Sequence, residues 1–484
     1  MDRIAIEERG IPGFELMQRA GRAAFAELLD RWPSAKCISV CCGKGNNAGD
    51  GYIVAGLALE LGLAVQVIQI GDSGELTGDA ARARDWARSL GLQAVDGPDA
   101  VLSGEVIVDG LLGTGISGAL RPAYAKVVAA INAAGRGVLS LDIPSGVAAD
   151  SGGVASDAVR ADVTVTFIGR KLGLFTGPGV SLAGEVIYAS LSVPSDIAHA
   201  VPGCPLLRYA EQEPLPPRDR NAYKQSQGHV VIVGGDRDMG GAPLMAGEAA
   251  LRMGAGLVTL ITREEHRPAV LARRPEIMVV GADSDSAREQ ALARATVLAV
   301  GPGLGRGDWG LGLLREALAL GKPAVLDADA LHGLVALSPQ AGESPLVASP
   351  VIVTPHPGEA AVLLGSTTAA VQADRPAAAC ALAQRVGGVA VLKGAGSVVA
   401  HHENGLRGVC AHGNPGMASA GMGDVLSGVI AGLLAQGADL GHAAALGTCL
   451  HSAAADLAVE HIGQRSLLAT DLLQPMIELL RGSQ

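Results

Sequence analysis

Cys37-Ile38-Ser39-Val40-Cys41-Cys42-Gly43-Lys44-Gly45-Asn46-Asn47-Ala48-Gly49-Asp50-Gly51 decides how the first part of this chain folds. Cys37–Cys42 is a short apolar run suited to a buried strand, and a glycine loop follows it. Tyr52–Leu61 then reads as a helix. Strand, glycine loop and helix in succession form the unit of a parallel sheet covered on both faces. The small residues let backbone amides approach a phosphate, and the helix dipole favours the anion. Two asparagines and an aspartate add hydrogen-bonding groups that a plain turn does not need.

The same alternation continues outward. Ala64–Ile70, Val106–Val108, Gly137–Leu141 and Val163–Phe167 are further β-rich runs, with Ala123–Ala134 among the helical stretches between them. A second series comprises Val230–Val233, Val258–Ile261, Val297–Val300, Ala324–Leu326, Val351–Val353 and Val389–Leu392. Proline and charge concentrate between the series, as in Glu211-Gln212-Glu213-Pro214-Leu215-Pro216-Pro217-Arg218, which suits an exposed connection. The expectation is α/β, with two doubly wound domains: a Rossmann-like three-layer sandwich over residues 1–205, a linker over 206–222 and a second three-layer sandwich over 223–484. Loops at the carboxyl ends of the strands are the expected ligand side.

Composition narrows the function. With 484 residues, 49% of them hydrophobic, the chain fills more than one core. Only 2% are aromatic, which argues against stacking platforms for single-stranded nucleic acid. The formal charge of -11 argues against a phosphate-backbone binder, so a nucleotide must be held locally by glycine loops and helix N-termini. Val425–Val459 is the most apolar stretch, but Gln436, Asp439, His442, His451 and Asp456 break it, so buried helices are expected and no membrane span. Met1–Glu8 lacks the apolar core of a signal peptide. The seven cysteines form no Cys-x-x-Cys pair and read as reduced, buried thiols, which points to the cytoplasm.

Candidate site residues fall at strand ends. In the first half, Asp109 ends a strand, and Gly113-Thr114-Gly115-Ile116-Ser117-Gly118 imitates a dinucleotide fingerprint with Asp142 further on. A NAD-dependent dehydrogenase is therefore an alternative, although that fingerprint belongs to the first strand of such a sheet. Asp109 and Asp142 terminate two strands and are placed to face one crevice. With Asn47 and Ser145 they offer hard oxygen ligands for an alkali or alkaline-earth cation; the plainer alternative is that they cap turns. In the second half, Gly413–Gly423 forms a glycine-rich approach to Asp424, a base or a helix-capping carboxylate. Lys393-Gly394-Ala395-Gly396-Ser397 and Gly301-Pro302-Gly303-Leu304-Gly305 are two more close-approach loops. His401-His402 reads as solvated and His451 as core. His356, between prolines in a strand-end loop, is the functional histidine.

These motifs carry a resemblance. Asn46–Gly51, Asp109–Gly115, Leu141–Gly146 and Phe167–Lys171, with Gly10-Ile11-Pro12, Leu16-Met17 and Ala20-Gly21, resemble the NAD(P)HX epimerase domain, with Ala48 where that family usually has glycine. Gly234-Gly235, Gly240-Gly241-Ala242, Gly254-Ala255-Gly256, Pro275-Glu276, Asp327–Leu331, Thr354–Glu359 and Gly413–Asp424 resemble the ribokinase-like, ADP-dependent NAD(P)H-hydrate dehydratases, with Tyr223 where histidine is common. The resemblance implies a bifunctional isomerase and lyase for metabolite repair. Its epimerase domain would interconvert the R and S hydrates of NADH and NADPH, and its dehydratase domain would return the S hydrate to the reduced nucleotide. It further implies that Asn46, Asn47, Ala48, Gly49, Asp50, Gly113, Thr114, Gly115, Ile116, Ser117, Gly118 and Ala119 bind the hydrate. Asn47, Asp109 and Ser145 would bind potassium, and Asp142 with Lys171 would assist epimerisation. In the second domain Ala242, Gly303, His356 and Asp424 would contact the hydrate, with Asp424 catalytic. Lys393, Gly394, Ala395, Gly396, Ser397 and Gly423 would hold ADP with Mg2+. NADHX, NADPHX and ADP are the implied partners, in a homo-oligomer without nucleic acid or membrane. The alternative is a ribokinase-like small-molecule kinase of the thiamine-precursor type fused to a nucleotide-binding domain. A third reading makes the first half a binding module without catalysis.

Overall fold

A computed structural model describes residues 1–92, 95–116, 118–337 and 346–482. The chain divides into two compact units, Met1–Gly203 and Cys204–Gln484.

The first unit is built on seven parallel strands: β1 (Cys37–Cys42), β2 (Ala64–Gln69), β3 (Val95–Asp96), β4 (Val106–Gly110), β5 (Gly137–Leu141), β6 (Val163–Phe167) and β7 (Glu185–Ala189). Their order is β3-β2-β1-β4-β5-β6-β7, so the winding reverses between β1 and β4. Alternate residues of each strand feed opposite layers. Val40, Cys42, Val106 and Val108 pack with the helices Gly13–Arg31, Asn46–Glu60 and Gly78–Ser89. Cys41, Ile107 and Val138 pack with the helix Pro122–Ala133 on the other side. The apolar runs are nearly continuous because both faces are buried.

The second unit has a ten-stranded sheet. Its strands are β8 (Leu206–Leu207), β9 (His229–Val233), β10 (Leu257–Thr262), β11 (Met278–Gly281), β12 (Val297–Val300), β13 (Ala324–Leu326), β14 (Val351–Val353), β15 (Val389–Leu392), β16 (Val398–His401) and β17 (Gly405–Cys410). The order is β11-β10-β9-β12-β13-β14-β15-β16-β17-β8, reversing between β9 and β12. Val230, Ile232, Val297 and Ala299 pack on one face with the helices Gly241–Arg252, Met422–Ala435 and Leu440–Ile462. Their neighbours Val231, Val233, Leu298 and Val300 are buried on the opposite face.

Four features differ from the sequence reading. The strands β3, β7, β11, β16 and β17 were not among the apolar runs named from sequence. The sheet is mixed at one end, because β16 pairs antiparallel with both β15 and β17. Residues 206–222 do not form a plain linker: β8 pairs with Val409 and Cys410 of β17, and Leu207 lies in the core of the second unit. The pairing satisfies backbone groups that an open edge would leave bare. The helix after β1 starts at Asn46, earlier than Tyr52.

All seven cysteines are free, with Cys41, Cys42, Cys410 and Cys449 buried. Among the described residues no helix is long and apolar enough to cross a membrane.

Candidate functional sites

The first site lies where the winding of the first sheet reverses, at the carboxyl ends of β1 and β4. Gly43 keeps the two chain segments close, since a side chain there would overlap the Leu111 carbonyl. Asn46–Asp50 form the first turn of the helix, and its N-cap Gly45 supplies no side-chain cap. The orphan amides of that turn are a ready anion site.

A cavity of about 690 Å³ opens beside this turn. Asn46, Asn47, Asp50, Gly113, Thr114, Gly115, Ile116, Ala119, Asp142 and Lys171, all predicted from sequence, line it. Ala48 and Gly49 face the core instead: Ala48 is fully buried, and a Cβ on Gly49 would sit 2.5 Å from the Met17 sulfur. Ala48 lies within the helix and is not a positive-φ residue, so the extra methyl brings no backbone strain. Gly118 is not part of the lining, and Ser117 lies outside the described residues. The glycine pattern at 113–118 does not open a helix, because the next one starts at Pro122. This removes the basis for reading it as a dinucleotide fingerprint. Asp2, Arg121 and Tyr124 also line the cavity and carried no ligand signal in the sequence; Met17 and Lys44, quoted there only as parts of motifs, line it too.

Asp109 and Asp142 do not share the crevice as expected. Asp142 lines the cavity and pairs with the Lys171 ammonium, which also donates to the Phe167 carbonyl at 2.9 Å. Asp142 (φ +67°), Ile168 (φ +61°) and Leu191 (φ +53°) are three of the few non-glycine residues with positive φ, and all three line this cavity. Such strain concentrates where a site over-determines the backbone. Asp50, half-buried on the helix, has its pKa pushed well above the usual carboxylate range, first by burial and then by the charges of Asp142 and Asp2.

Asp109 lies beneath the cavity floor, fully buried. Its carboxylate accepts from Ser145 Oγ at 2.6 Å, from Ser145 N at 2.9 Å and from Ser140 Oγ at 2.9 Å. Burial raises its pKa, and those hydrogen bonds oppose the rise. Asn47 Nδ2 donates to the Leu112 carbonyl at 2.9 Å, and Leu112 N donates to Ser145 Oγ at 2.9 Å. Asn47, Asp109 and Ser145 are thus brought together around Leu112. Asn47 Oδ1 is buried without a hydrogen-bond partner. An orphaned amide oxygen near a buried carboxylate is a donor set that suits a monovalent cation.

The second site forms where the other sheet reverses, between β9 and β12. A side chain on Gly234 would overlap the Pro302 carbonyl, and a Cβ on Gly303 (φ +59°) would lie 3.4 Å from Ala242 Cβ. Ala242 opens the helix Gly241–Arg252, which packs on the helix Met422–Ala435. A Cβ on Gly421 would sit 2.6 Å from Met245 Cε, so the starts of the two helices meet. Gly421 (φ +87°) caps its helix without a side-chain hydrogen bond, and Asp424 is in the first turn. Burial first, then the charge of Asp327, pushes the Asp424 carboxyl up to about 7, against the pull of Lys393.

Lys393 follows directly on β15 and opens the glycine loop. Its ammonium sits 2.7 Å from Asp327 Oδ1 and 3.9 Å from Glu359 Oε2. Burial opposes the charge on Lys393, but Asp327 and Glu359 outweigh it and hold its pKa above the ordinary value. Ser427 Oγ donates to Asp327 Oδ2 at 2.9 Å. Gly423 lies over this group: a Cβ there would meet Lys393 Nζ at 3.0 Å and Asp327 Oδ2 at 3.1 Å. Gly394, Ala395, Gly396 and Ser397 continue from Lys393, with φ +140° at Gly394 and +61° at Gly396.

His356 has a second occupation that the sequence reading missed. Its Nδ1 accepts from the Gly358 and Glu359 amides at 3.0 and 3.2 Å, which caps the helix Pro357–Leu364. The remaining Nε2 lies 3.3 Å from Glu359 Oε1. A capping nitrogen is not a free base, so Asp424 is the better placed proton acceptor. The His-Pro-Gly-Glu order, a capping box, was the available signal. His451 is buried as expected, and His401 and His402 stack with ring centroids 4.7 Å apart.

Comparison with known proteins adds to this geometry. A family model described as NAD(P)H-hydrate dehydratase matches residues 230–478, and one described as YjeF-related protein N-terminus matches residues 13–173. The chain is 48% identical over 475 residues to the bifunctional NAD(P)H-hydrate repair enzyme Nnr of Coxiella burnetii, covering 98% of this chain and 96% of the other. It is 41% identical over 482 residues to the enzyme of the same name from Escherichia coli, covering 98% of this chain and 91% of that one. Among solved structures, the ADP/ATP-dependent NAD(P)H-hydrate dehydratase of Bacillus subtilis, co-crystallised with ATP and Mg2+, matches with 29% identity and a TM-score of 0.50, over 56% of this chain and 95% of that one.

Proposed function

This chain belongs to the family of bifunctional NAD(P)H-hydrate repair enzymes, and from that premise we propose how its two units divide the work. The first unit epimerises hydrated NADH and NADPH. The second dehydrates the S hydrate at the expense of ADP. The observation that carries this reading is the likeness over nearly the whole chain to relatives with that double activity, which a kinase fused to a binding module does not account for.

In the first unit the open first turn at Asn46–Asp50 and the loop at 113–119 receive the dinucleotide. Epimerisation breaks and remakes the carbon–oxygen bond at the hydrated ring carbon. The departing oxygen needs a proton, and the returning water must lose one. Asp50, whose surroundings favour the protonated carboxyl, supplies the first. Asp142, oriented by Lys171, accepts the second. Asn47, Asp109 and Ser145 hold potassium, a fit supported by the unpartnered Asn47 oxygen. Bound there, potassium would offset the charge buried at Asp109, beside the loop that carries Leu112.

In the second unit Ala242, Gly303 and His356 border the hydrate. Lys393 to Ser397 and Gly423 receive ADP, and Mg2+ would supply charge neutralisation for its phosphates. Asp424 takes the hydroxyl proton as that oxygen attacks the terminal phosphorus of ADP and AMP departs. Phosphate then leaves the ring carbon and takes up the proton lost by the neighbouring carbon, restoring the double bond. The Gly421–Gly423 turn presents backbone amides where phosphate charge develops.

The test is incubation with hydrated NADH and ADP. Return of absorbance at the reduced-nicotinamide wavelength supports the reading. Phosphate transfer to an unrelated alcohol, with no such return, overturns it in favour of the kinase. A first unit that leaves the R-to-S ratio at its spontaneous rate is a binding module.

A further inference from the structure

Arg375 is 1% exposed and among the largest fully buried side chains in the molecule. It begins the helix Arg375–Val386, whose N-cap Asp374 accepts from Ala377 N at 2.9 Å. Its guanidinium lies under the turn that follows β15. Nη2 donates to the Leu392 carbonyl at 3.1 Å, the Lys393 carbonyl at 3.2 Å and the Gly396 carbonyl at 3.5 Å. Nη1 donates to Gln372 Oε1 at 3.0 Å. A Cβ on Gly394 would lie 3.0 Å from both terminal nitrogens, so the backbone rests directly on the guanidinium.

The two groups of a planar trans peptide point in opposite directions. Carbonyls of Lys393 and Gly396 drawn down to Arg375 therefore turn the amides of Gly394 and Ser397 the other way. Gly394 and Gly396 adopt φ values that other residues avoid, which lets the loop fold over one buried cation. A guanidinium offers five donors in a fixed fork, whereas an ammonium is a compact point charge. The site therefore calls for arginine by shape as well as by charge. Burial lowers the Arg375 pKa to about 10, which leaves it charged at neutral pH.

We propose that Arg375 is a positioning residue for the nucleotide, holding the carbonyls of Leu392, Lys393 and Gly396 inward so that the opposite side of the loop presents the Gly394 and Ser397 amides to the ADP phosphates. This rests on the assignment of residues 393–397 to ADP. Arg375 does not touch the nucleotide; it acts through the loop.

The full-length protein tests the proposal through Arg375→Lys and Arg375→Met, with Gly396→Val as the control for the loop itself. ADP affinity is read by titration calorimetry, and KM for ADP and for the hydrate are read in the dehydration assay. Hydrogen bonds to a charged group contribute about 1.5–3 kcal/mol, or roughly 10- to 100-fold in a binding constant. Arg375→Lys keeps the charge and loses the fork, so ADP should bind at least about tenfold more weakly. The KM for the hydrate and the epimerase rate should stay within about twofold, a split that general destabilisation does not produce. If Arg375→Met does not fold, Arg375→Lys alone decides the question. ADP binding within twofold of the parent in the Arg375 variants, with Gly396→Val defective, overturns the positioning role and leaves the loop assignment standing. Unchanged ADP binding in Gly396→Val as well overturns both.

Discussion

Replacing Asp424 by asparagine separates catalysis from folding in the second unit. The side chain keeps its size, and the Gly421 cap does not depend on it. Loss of a general base costs ~10²–10⁴-fold in rate, so dehydration should fall by that amount while epimerisation continues. The parent enzyme should show a matching pH profile. With the carboxyl pushed up to about 7 by burial and Asp327, dehydration should rise through that pH and fall about tenfold per unit well below it. The stability change has the opposite sign. The folded pKa lies above the ordinary value of 3.8, so stability from the protonated carboxyl is fully present below about 3.8 and lost as pH rises through about 7. Three units correspond to at most about 4 kcal/mol. Solvent access to the partly exposed carboxyl reduces this to on the order of 1 kcal/mol. Asp424→Asn should therefore melt higher than the parent at pH 8, with the gap closing towards pH 4. Steady-state dehydration and thermal melts across pH 5–8 provide both readouts. Activity within about threefold of the parent, or a flat parent profile between pH 6 and 8, would refute the assignment.

Asp109→Ala should slow epimerisation and abolish its dependence on potassium, because the Ser145 and Leu112 contacts lose their anchor; rates in potassium against a bulky organic cation check this. Lys171→Met should lower the epimerase rate by ~10²-fold or more and spare dehydration, as read by the R-to-S ratio over time. His451, whose pKa burial lowers to about 4, contributes stability above its ordinary 6.5 that is lost as pH falls towards 4. His451→Gln should flatten that acid-side decline in denaturant titrations. Deleting residues 1–212, which removes β8, should destabilise the second unit relative to deleting 1–203, as measured by its melting temperature.

The central strands of both sheets were legible in the sequence because their signals are local, whereas the peripheral strands β3, β7, β11, β16 and β17 were not. Buried parallel strands are short, continuous apolar runs, and the glycines between them mark close approaches that no other residue permits. Cys37–Cys42, Gly137–Leu141, Val163–Phe167 and Val389–Leu392 are strands over the residues expected. The cavity residues Asn46, Asn47, Asp50, Gly113, Thr114, Gly115, Ile116 and Ala119 were legible for the same reason, since a loop at a strand's carboxyl end has one direction to face, while Ala48 and Gly49 turned to the core. Local pattern did not reveal how strand ends meet or which charges share a buried space. Asp109 and Asp142 look alike in sequence, each following an apolar run. Only the backbone turn at Asp142 sends its carboxylate to Lys171 while Asp109 stays under the floor with Ser145. His356 became a helix cap through the amides behind it, β8 joined a sheet from a stretch that reads as linker, and Arg375 reached the turn after a strand that starts 14 residues later. Each outcome depends on desolvation and on backbone direction in three dimensions. Those are properties of the packed chain, and residue order alone does not carry them.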